Sequence, residues 1–364
     1  MKKKIVYVLH GLAAGGTEAF VLNVVSHLDR KKYDITFILA LDDNGKTHQF
    51  HEDKVLEQGI KIYRTCDLDG IKKWKLHYEK LKKLLIEKGP FDVIHCNMDL
   101  FNGINLMAAK KAGVPVRICH SHIADSQYAD SNLKKLISTV YRKLMRRLIF
   151  RYSTKIIGCS EMANRYLYGE KANKAEVVYN GINTEKFIQH RNKNRIKNRI
   201  VTVGRMEYPK NPLFVIEVIS ELYNLRNDFE FVWVGDGSMK EKIKDKADRL
   251  HIINKIKFWG IRNDIEDILG KSEYFLLPSI FEGFGIAVIE AQCAGLECFV
   301  SDNIPREINV GLCHYLSLDK SAKEWANYIS NRLDMNRKKL SLNEKKLKQF
   351  DIKNTVKRLE EIYG

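Results

Sequence analysis

Short β-rich runs alternating with longer helical patterns recur along almost the whole chain, and this alternation limits the fold more than any other feature. In the first half such runs stand at 5–9, 35–41, 60–63, 93–96, 116–119, 155–159 and 177–179, with helical patterns between most of them. Antiparallel neighbours can be joined by a tight turn, whereas parallel neighbours need a long crossover, so strand, helix, strand predicts parallel βαβ units. The pattern restarts at 200–203 and continues at 229–234, 256–259, 274–277 and 298–301, with helical stretches such as 212–223 and 239–250 between. The sequence therefore predicts an α/β chain of two Rossmann-like, doubly wound domains, 1–182 and 183–346, followed by a charged terminal helix. The polar segment 189–199 reads as the exposed boundary loop. Ligands of open α/β sheets sit beyond the carboxyl ends of the strands, so two such domains facing each other would place the site in a central cleft.

Composition removes several classes. The chain has 364 residues, 45% hydrophobic and 29% charged, with six prolines and no repeat, which excludes a disordered or fibrous protein. No apolar run approaches the roughly 20 residues of a membrane-spanning helix, and the stretch at 5–9 is too short for a signal peptide, so a cytoplasmic location is expected. Seven scattered cysteines without a Cys-x-x-Cys pair argue against structural disulfides and a zinc ribbon. The net charge of +17 divides into +12 for residues 1–182 and +5 for 183–364, so the first half is the one expected to seek an anionic partner.

Four motifs at strand ends could carry chemistry. Glu282-Gly283-Phe284-Gly285 follows a strand and opens a helix, where exposed backbone N–H groups at a positive helix end suit a phosphate. Glu282 in the turn and Glu290, about two helical turns deeper, could both face one ligand and hold sugar hydroxyls on either side of a diphosphate. An ordinary connection with two surface carboxylates is the plain alternative. Gly204-Arg205 with Lys210-Asn211 offers a planar fork and a compact ammonium, two complementary ways to neutralise a diphosphate, although basic residues after a strand are usually solvated. The loop from His10 through Gly15 and Gly16 has neither the Gly-x-Gly-x-x-Gly nor the P-loop spacing; its glycines would let backbone approach a diphosphate or sugar, or simply form a flexible turn. In His120-Ser121-His122, an imidazole at a strand end could hydrogen-bond a reacting sugar or move a proton. The two rings are read as pointing to opposite faces of the extended chain, so only one is expected at the site, and no further ligands stand nearby for zinc. Asp67-Leu68-Asp69 before Gly70 reads as a turn.

Residues 134–155 hold eight basic side chains and no acid. Apolar residues at 133, 136, 137, 140, 141, 144, 145 and 148 recur at helical spacing, with Lys134, Lys135, Arg142, Lys143, Arg146, Arg147 and Arg151 mostly outside that stripe. Such a helix either packs on its own sheet with a solvated basic face, or meets an anionic membrane surface or a pyrophosphate-linked lipid. Lys72, Lys73 and Lys75 around Trp74, with Lys80, Lys82 and Lys83, favour the membrane.

Taken in order, these motifs, together with Tyr179-Asn180-Gly181-Ile182-Asn183, Phe187, Val234-Gly235-Asp236-Gly237 and Gly260, resemble family 4 of the retaining glycosyltransferases over nearly the whole chain, and look closest to its bacterial capsular and exopolysaccharide branch. The resemblance implies a GT-B fold, with an acceptor-binding first domain, a nucleotide-sugar-binding second domain, and a final segment, 347–364, returning to the first. It implies that Arg205 and Lys210 hold the donor diphosphate, helped by Gly283, Phe284 and Gly285, that Glu290 holds the ribose and Glu282 the donor sugar, and that Gly15 and Gly16 approach from the other side. His120, first off its strand, or His122 would be the catalytic histidine. The implied reaction moves a hexosyl or N-acetylhexosaminyl group from a UDP-sugar to a polyprenyl-pyrophosphate-linked or oligosaccharide acceptor, with retention and with neither metal nor other cofactor, at the inner face of the plasma membrane. Leu296-Glu297 stands where the family commonly has a proline after the glycine, which alters a turn behind the helix. A nucleotide-sugar 2-epimerase shares the fold but not the paired-glutamate set. A basic nucleic-acid or membrane-binding protein without catalysis would rest on charge alone, and no nucleic-acid motif accompanies it, so nucleic acid is not an expected partner.

Overall fold

The computed structural model describes residues 1–13, 15–42, 48–123, 132–191, 194–334 and 341–364, excepting the side chains of 132–137. Seven strands, β1 Lys3–Leu9, β2 Tyr33–Leu39, β3 Lys61–Arg64, β4 Val93–Cys96, β5 Val116–Ser121, β6 Lys155–Gly158 and β7 Glu176–Val177, form one sheet in the order 3-2-1-4-5-6-7. Six more, β8 Arg199–Val203, β9 Glu230–Val234, β10 Ile256–Gly260, β11 Tyr274–Leu277, β12 Glu297–Ser301 and β13 Cys313–Leu316, form a second sheet in the order 10-9-8-11-12-13. All these pairings are parallel. Burial on both faces explains why Ile5–Leu9 and Phe231–Val234 read as continuous apolar runs rather than alternating ones. In each sheet the strand order reverses beside its first strand, the kind of switch point at which open α/β sheets bind ligands.

The chain divides into one unit of Met1–Gly181 with Ile352–Gly364 and another of Ile182–Asp351. The helix Ile352–Tyr363 belongs to the first unit because Ile352, Val356, Leu359, Ile362 and Tyr363, on one helical stripe, enter the core with Phe20 and Val24. Gly181 is required where that helix passes: a Cβ there would lie 2.4 Å from Thr355 Oγ1 and 2.7 Å from Ile352 Cα. The segment 189–199 is not the boundary. Its arginines turn inward within the second unit, Arg191 Nε donating to Cys293 O at 2.9 Å and Arg195 Nη2 to Ala294 O at 2.8 Å, which satisfies carbonyls at the end of the helix Ile286–Cys293. β13, absent from the sequence reading, is a four-residue edge strand with mostly half-buried side chains, so it lacks the apolar run that marks the others.

The basic helix spans Asn132–Tyr152. Met145 and Ile149 are buried, but Val140 and Leu144 are 60% and 52% exposed, so the apolar stripe divides between core and surface. Arg146 does not point to solvent; it donates to Tyr166 O and Leu167 O at 2.6 and 2.9 Å. Lys134 and Lys135 lie outside the described side chains. Among the described residues no helix is long and apolar enough to cross a membrane.

Candidate functional site

In the second unit, the loops leaving β8, β9 and β10 are stitched together by backbone. The Gly204 N–H donates to Val234 O (3.0 Å), Gly235 N–H to Gly260 O (2.8 Å), Met206 N–H to Asp236 O (2.9 Å) and Met239 N–H to Met206 O (3.0 Å). Gly235 has φ +135°, and a Cβ there would fall 2.1 Å from Gly204 O, so only glycine allows this approach. Ser238 braces the same platform by donating its N–H and Oγ to Glu207 at 2.8 and 2.7 Å. Arg205, held by this rigid backbone, is exposed and makes no hydrogen bond or ion pair with any described residue.

Lys210 is differently placed. Its alkyl chain lies over Gly204, and its ammonium pairs with Glu282, whose Oε1 also accepts from Ser279 Oγ at 3.0 Å. Ile280 N–H donates to Pro209 O at 2.8 Å, joining the loops after β8 and β11. The structure thus brings Lys210 and Glu282 together as one charge-balanced group, while the Ser238 N–H, with the Arg205 guanidinium adding to it, holds the Glu207 carboxyl below its ordinary value.

Gly283 is half-buried in the turn, and Gly285 takes φ +90° to begin the helix Ile286–Cys293. Phe284 is buried with its ring 5.9 Å from that of Phe350, so its side chain anchors the turn. Glu290 lies just over one turn into the helix, not two, because 283–285 are loop. Its neighbours are also not those of Glu282: desolvation pushes its carboxyl up to about 8, Glu266 adds to the rise and Lys186 opposes it. Lys186 and Glu266 pair with each other at 2.7 Å. Glu290 itself has no hydrogen-bonded side-chain partner among the described residues.

The first unit holds the remaining candidates. Gly15 is extended, with φ −121°, and precedes the helix Gly16–His27; a Cβ on Gly16 would meet nothing within 4 Å. These glycines bare the backbone without strain. His120 and His122 do not point to opposite faces. Residues two apart along a strand share a face, and the two rings stand 4.0 Å apart, both against Phe20. His122 N–H donates to Asp99 Oδ1 at 2.9 Å, and its Nε2 lies 2.9 Å from Asn97 Oδ1. Asn97 Nδ2 donates to His95 O at 3.0 Å, which fixes the amide orientation and so places the His122 proton on Nε2. His120 Nδ1 is 3.0 Å from His95 Nε2. His120 Nε2 and His122 Nδ1 are buried with no partner among the described residues.

Burial pushes His122 and His95 down to about 3 and His120 well below its ordinary value, with neighbouring imidazoles adding to the shift at His95 and His120. Shifts in this direction favour the neutral ring at pH 7, a form that can donate or accept a hydrogen bond. Asp99 is pushed up to about 7 by the same desolvation, against the amides of His122 and Ile123.

His95, Asn97, Lys186 and Glu266 were not singled out from sequence. His95-Cys96-Asn97 closes β4 as His120-Ser121-His122 closes β5, and that echo of polar residues ending an apolar strand was a usable signal. Nothing local marks Lys186 and Glu266. Among the described residues no three His, Cys, Asp or Glu side chains are grouped to hold a metal.

Comparison with known proteins is consistent along the chain. The model described as Glycosyltransferase Family 4 matches residues 14–186, and that described as Glycosyl transferases group 1 matches 183–349. The capsular polysaccharide biosynthesis glycosyltransferase CapH of Staphylococcus aureus is 30% identical, with 99% of this chain and 98% of that protein covered. The UDP-Gal:alpha-D-GlcNAc-diphosphoundecaprenol alpha-1,3-galactosyltransferase of Escherichia coli is 29% identical, over 83% of this chain and 80% of its own. Among solved structures, Anabaena Alr3699/HepE in complex with UDP and glucose superposes with a TM-score of 0.77, covering 99% of this chain and 98% of its own; at 17% identity this is a likeness of fold.

Proposed function

The chain belongs to glycosyltransferase family 4 and has the GT-B fold, and from that premise we propose that it moves a hexosyl or N-acetylhexosaminyl group from a UDP-sugar to a polyprenyl-diphosphate-linked acceptor in surface polysaccharide synthesis. The observation that carries this reading is Arg205: an exposed guanidinium in no ion pair or hydrogen bond with a described residue, on the backbone-stitched loop that also carries Lys210. A departing nucleoside diphosphate supplies the charge that such a group lacks. The choice of UDP and of a lipid diphosphate rests on the names of the E. coli and Anabaena relatives.

As the anomeric C–O bond breaks, its electron pair passes to the diphosphate and positive charge develops on the ring. Arg205, Lys210 and the N-terminus of the helix Ile286–Cys293 stabilise the leaving group. The acceptor hydroxyl forms the new bond from the same face and yields its proton to the diphosphate, giving retention. Glu282, tied to Lys210 and Ser279, is a poor covalent nucleophile, and the cationic pair makes a divalent metal unnecessary; activity should persist in EDTA.

Glu290 is assigned to the ribose hydroxyls, and calorimetric titration of UDP, GDP and ADP tests this. UDP should bind, and Glu290→Ala should weaken it by about tenfold or more, as loss of a charged hydrogen-bond acceptor does. With the carboxyl near 8 in the free protein, only about one molecule in eleven is ionised at pH 7. If the bound form is the carboxylate, affinity should tighten about tenfold from pH 7 to pH 9, while Glu290→Gln stays flat. An identical pH dependence in both proteins would remove Glu290 from the ribose.

The proposal includes an anionic membrane as docking partner. Val140 and Leu144 are exposed beside Lys143 and Arg147, and on the helix Ile71–Glu87 Ile71 and Leu76, 77% and 45% exposed, lie beside Lys72 and Lys75. Trp74 and Tyr141, 5.4 Å apart, join the two helices. Apolar side chains among cations suit the headgroup boundary of an anionic bilayer. Flotation should recover the protein with vesicles containing phosphatidylglycerol and lose most of it for V140S/L144S; equal, negligible recovery with neutral and anionic vesicles would refute this docking.

A further inference from the structure

A buried hydrogen-bonded chain runs from the first strand through the last helix to His120. Tyr7 Oη is 2.6 Å from Tyr363 Oη, Tyr363 Oη is 2.9 Å from His95 Nδ1, and His95 Nε2 is 3.0 Å from His120 Nδ1. The sheet brings these groups onto one face. Tyr7 of β1 is in register with His95 of β4, His95 with Ile118 of β5, and His120 follows Ile118 by two residues. The rings are stacked, Tyr7 on His95 at 5.1 Å and His95 on His120 at 5.2 Å, and Lys3 Nζ donates to Tyr363 O at 3.1 Å, securing the end of the helix.

Such a chain has two proton arrangements, and the two ends decide between them. In one, Tyr7 donates to Tyr363, Tyr363 to His95 Nδ1, and His95 Nε2–H to His120 Nδ1. Every hydrogen then has an acceptor except that on His120 Nε2, the atom left without a partner. In the reverse, His120 Nδ1–H donates to His95 and the chain ends on Tyr7, whose hydroxyl hydrogen would be fully buried with no acceptor among the described residues. Both arrangements bury one hydrogen without an acceptor among the described residues, but the reverse also leaves His120 Nε2 as a bare acceptor with no donor, so two groups go unsatisfied instead of one, which is the costlier choice. We infer that Tyr363 and His95 are positioning residues that hold the His120 proton on Nε2, presenting a fixed hydrogen-bond donor to the reacting sugar. The claim about the sugar rests on the function proposed above, whereas the claim about the proton does not. Tyr363 lies on the helix Ile352–Tyr363, so that helix supplies part of the site's proton arrangement as well as packing.

The test reads the proton directly, in substrate-free protein labelled with 15N-histidine. The His120 ring should show protonated Nε2 and bare Nδ1. Tyr363→Phe removes the donor to His95 and should shift His120 towards a mixture of tautomers, whereas Tyr7→Phe, which leaves Tyr363 able to donate, should preserve the wild-type form. In a transfer assay Tyr363→Phe should lower kcat by about tenfold with little change in KM, and Tyr7→Phe by no more than about twofold. A wild-type His120 protonated on Nδ1 would overturn the inference even if Tyr363→Phe failed to fold. So would a Tyr363→Phe protein whose His120 keeps the wild-type tautomer. The predicted tautomers in a protein that transfers no sugar would uphold the proton arrangement and sink the proposed function alone.

Discussion

Arg205→Ala is expected to lower kcat/KM by about a hundredfold or more while leaving the thermal midpoint unchanged. The size follows from its proposed task. A group that meets charge appearing in the transition state typically contributes about two to three orders of magnitude in rate when removed. The unchanged stability follows from the structure, because Arg205 is exposed and bonds to no described residue. Lys210→Ala should behave differently, since it also strands Glu282 beside Ser279, and a loss of stability should accompany its loss of rate. A fall below about threefold for Arg205→Ala would remove this residue from the diphosphate site.

Gly235→Ala should cost stability rather than chemistry. Its Cβ would lie 2.1 Å from Gly204 O, and its φ of +135° is one that side-chain-bearing residues rarely adopt. Neither neighbour can yield cheaply: the Gly204 carbonyl also accepts from Trp233 Nε1 at 3.2 Å, and Gly235 N–H is bonded to Gly260 O. The combined strain and lost hydrogen bonds should destabilise the second unit by about 3 kcal/mol or more. Denaturant unfolding would register this, and nucleotide binding should weaken with it because the same backbone carries Arg205. Gly16→Ala is the matched control: nothing lies within 4 Å of its Cβ and its φ is not positive, so stability should change by less than about 1 kcal/mol. Equal unfolding midpoints for Gly235→Ala and wild type would contradict the interlocked loops.

Much of the architecture could be read from residues alone because parallel strands buried on both faces leave apolar runs that local inspection recovers. β13 escaped because an edge strand has no such run. The segment 189–199 was misread for a related reason: its polar composition suggested a solvated linker, whereas Arg191 and Arg195 use that polarity to bind helix-end carbonyls. In the site, residue types at strand ends pointed to Arg205, Lys210, Glu282 and Glu290, but not to who pairs with whom. The orientation of His120 and His122 was misread: residues two apart on a strand share a face, so alternation places both rings on one side, where they are found. Tyr363 could not be found at all, since 268 positions separate it from His95 in the sequence and only the fold brings them together.

The central claim is transfer of sugar from a nucleotide donor to a lipid-linked acceptor. The most direct measurement incubates the protein with UDP-hexoses and UDP-N-acetylhexosamines labelled in the sugar, with and without an undecaprenyl-diphosphate-linked monosaccharide in detergent micelles. Label in the organic phase and released UDP are then quantified together. The account predicts that one donor's label moves to the lipid with an equal amount of UDP, and that almost none is released without acceptor. Acceptor-independent conversion of the UDP-sugar to its epimer, or no consumption of any nucleotide sugar with acceptor present, would contradict it.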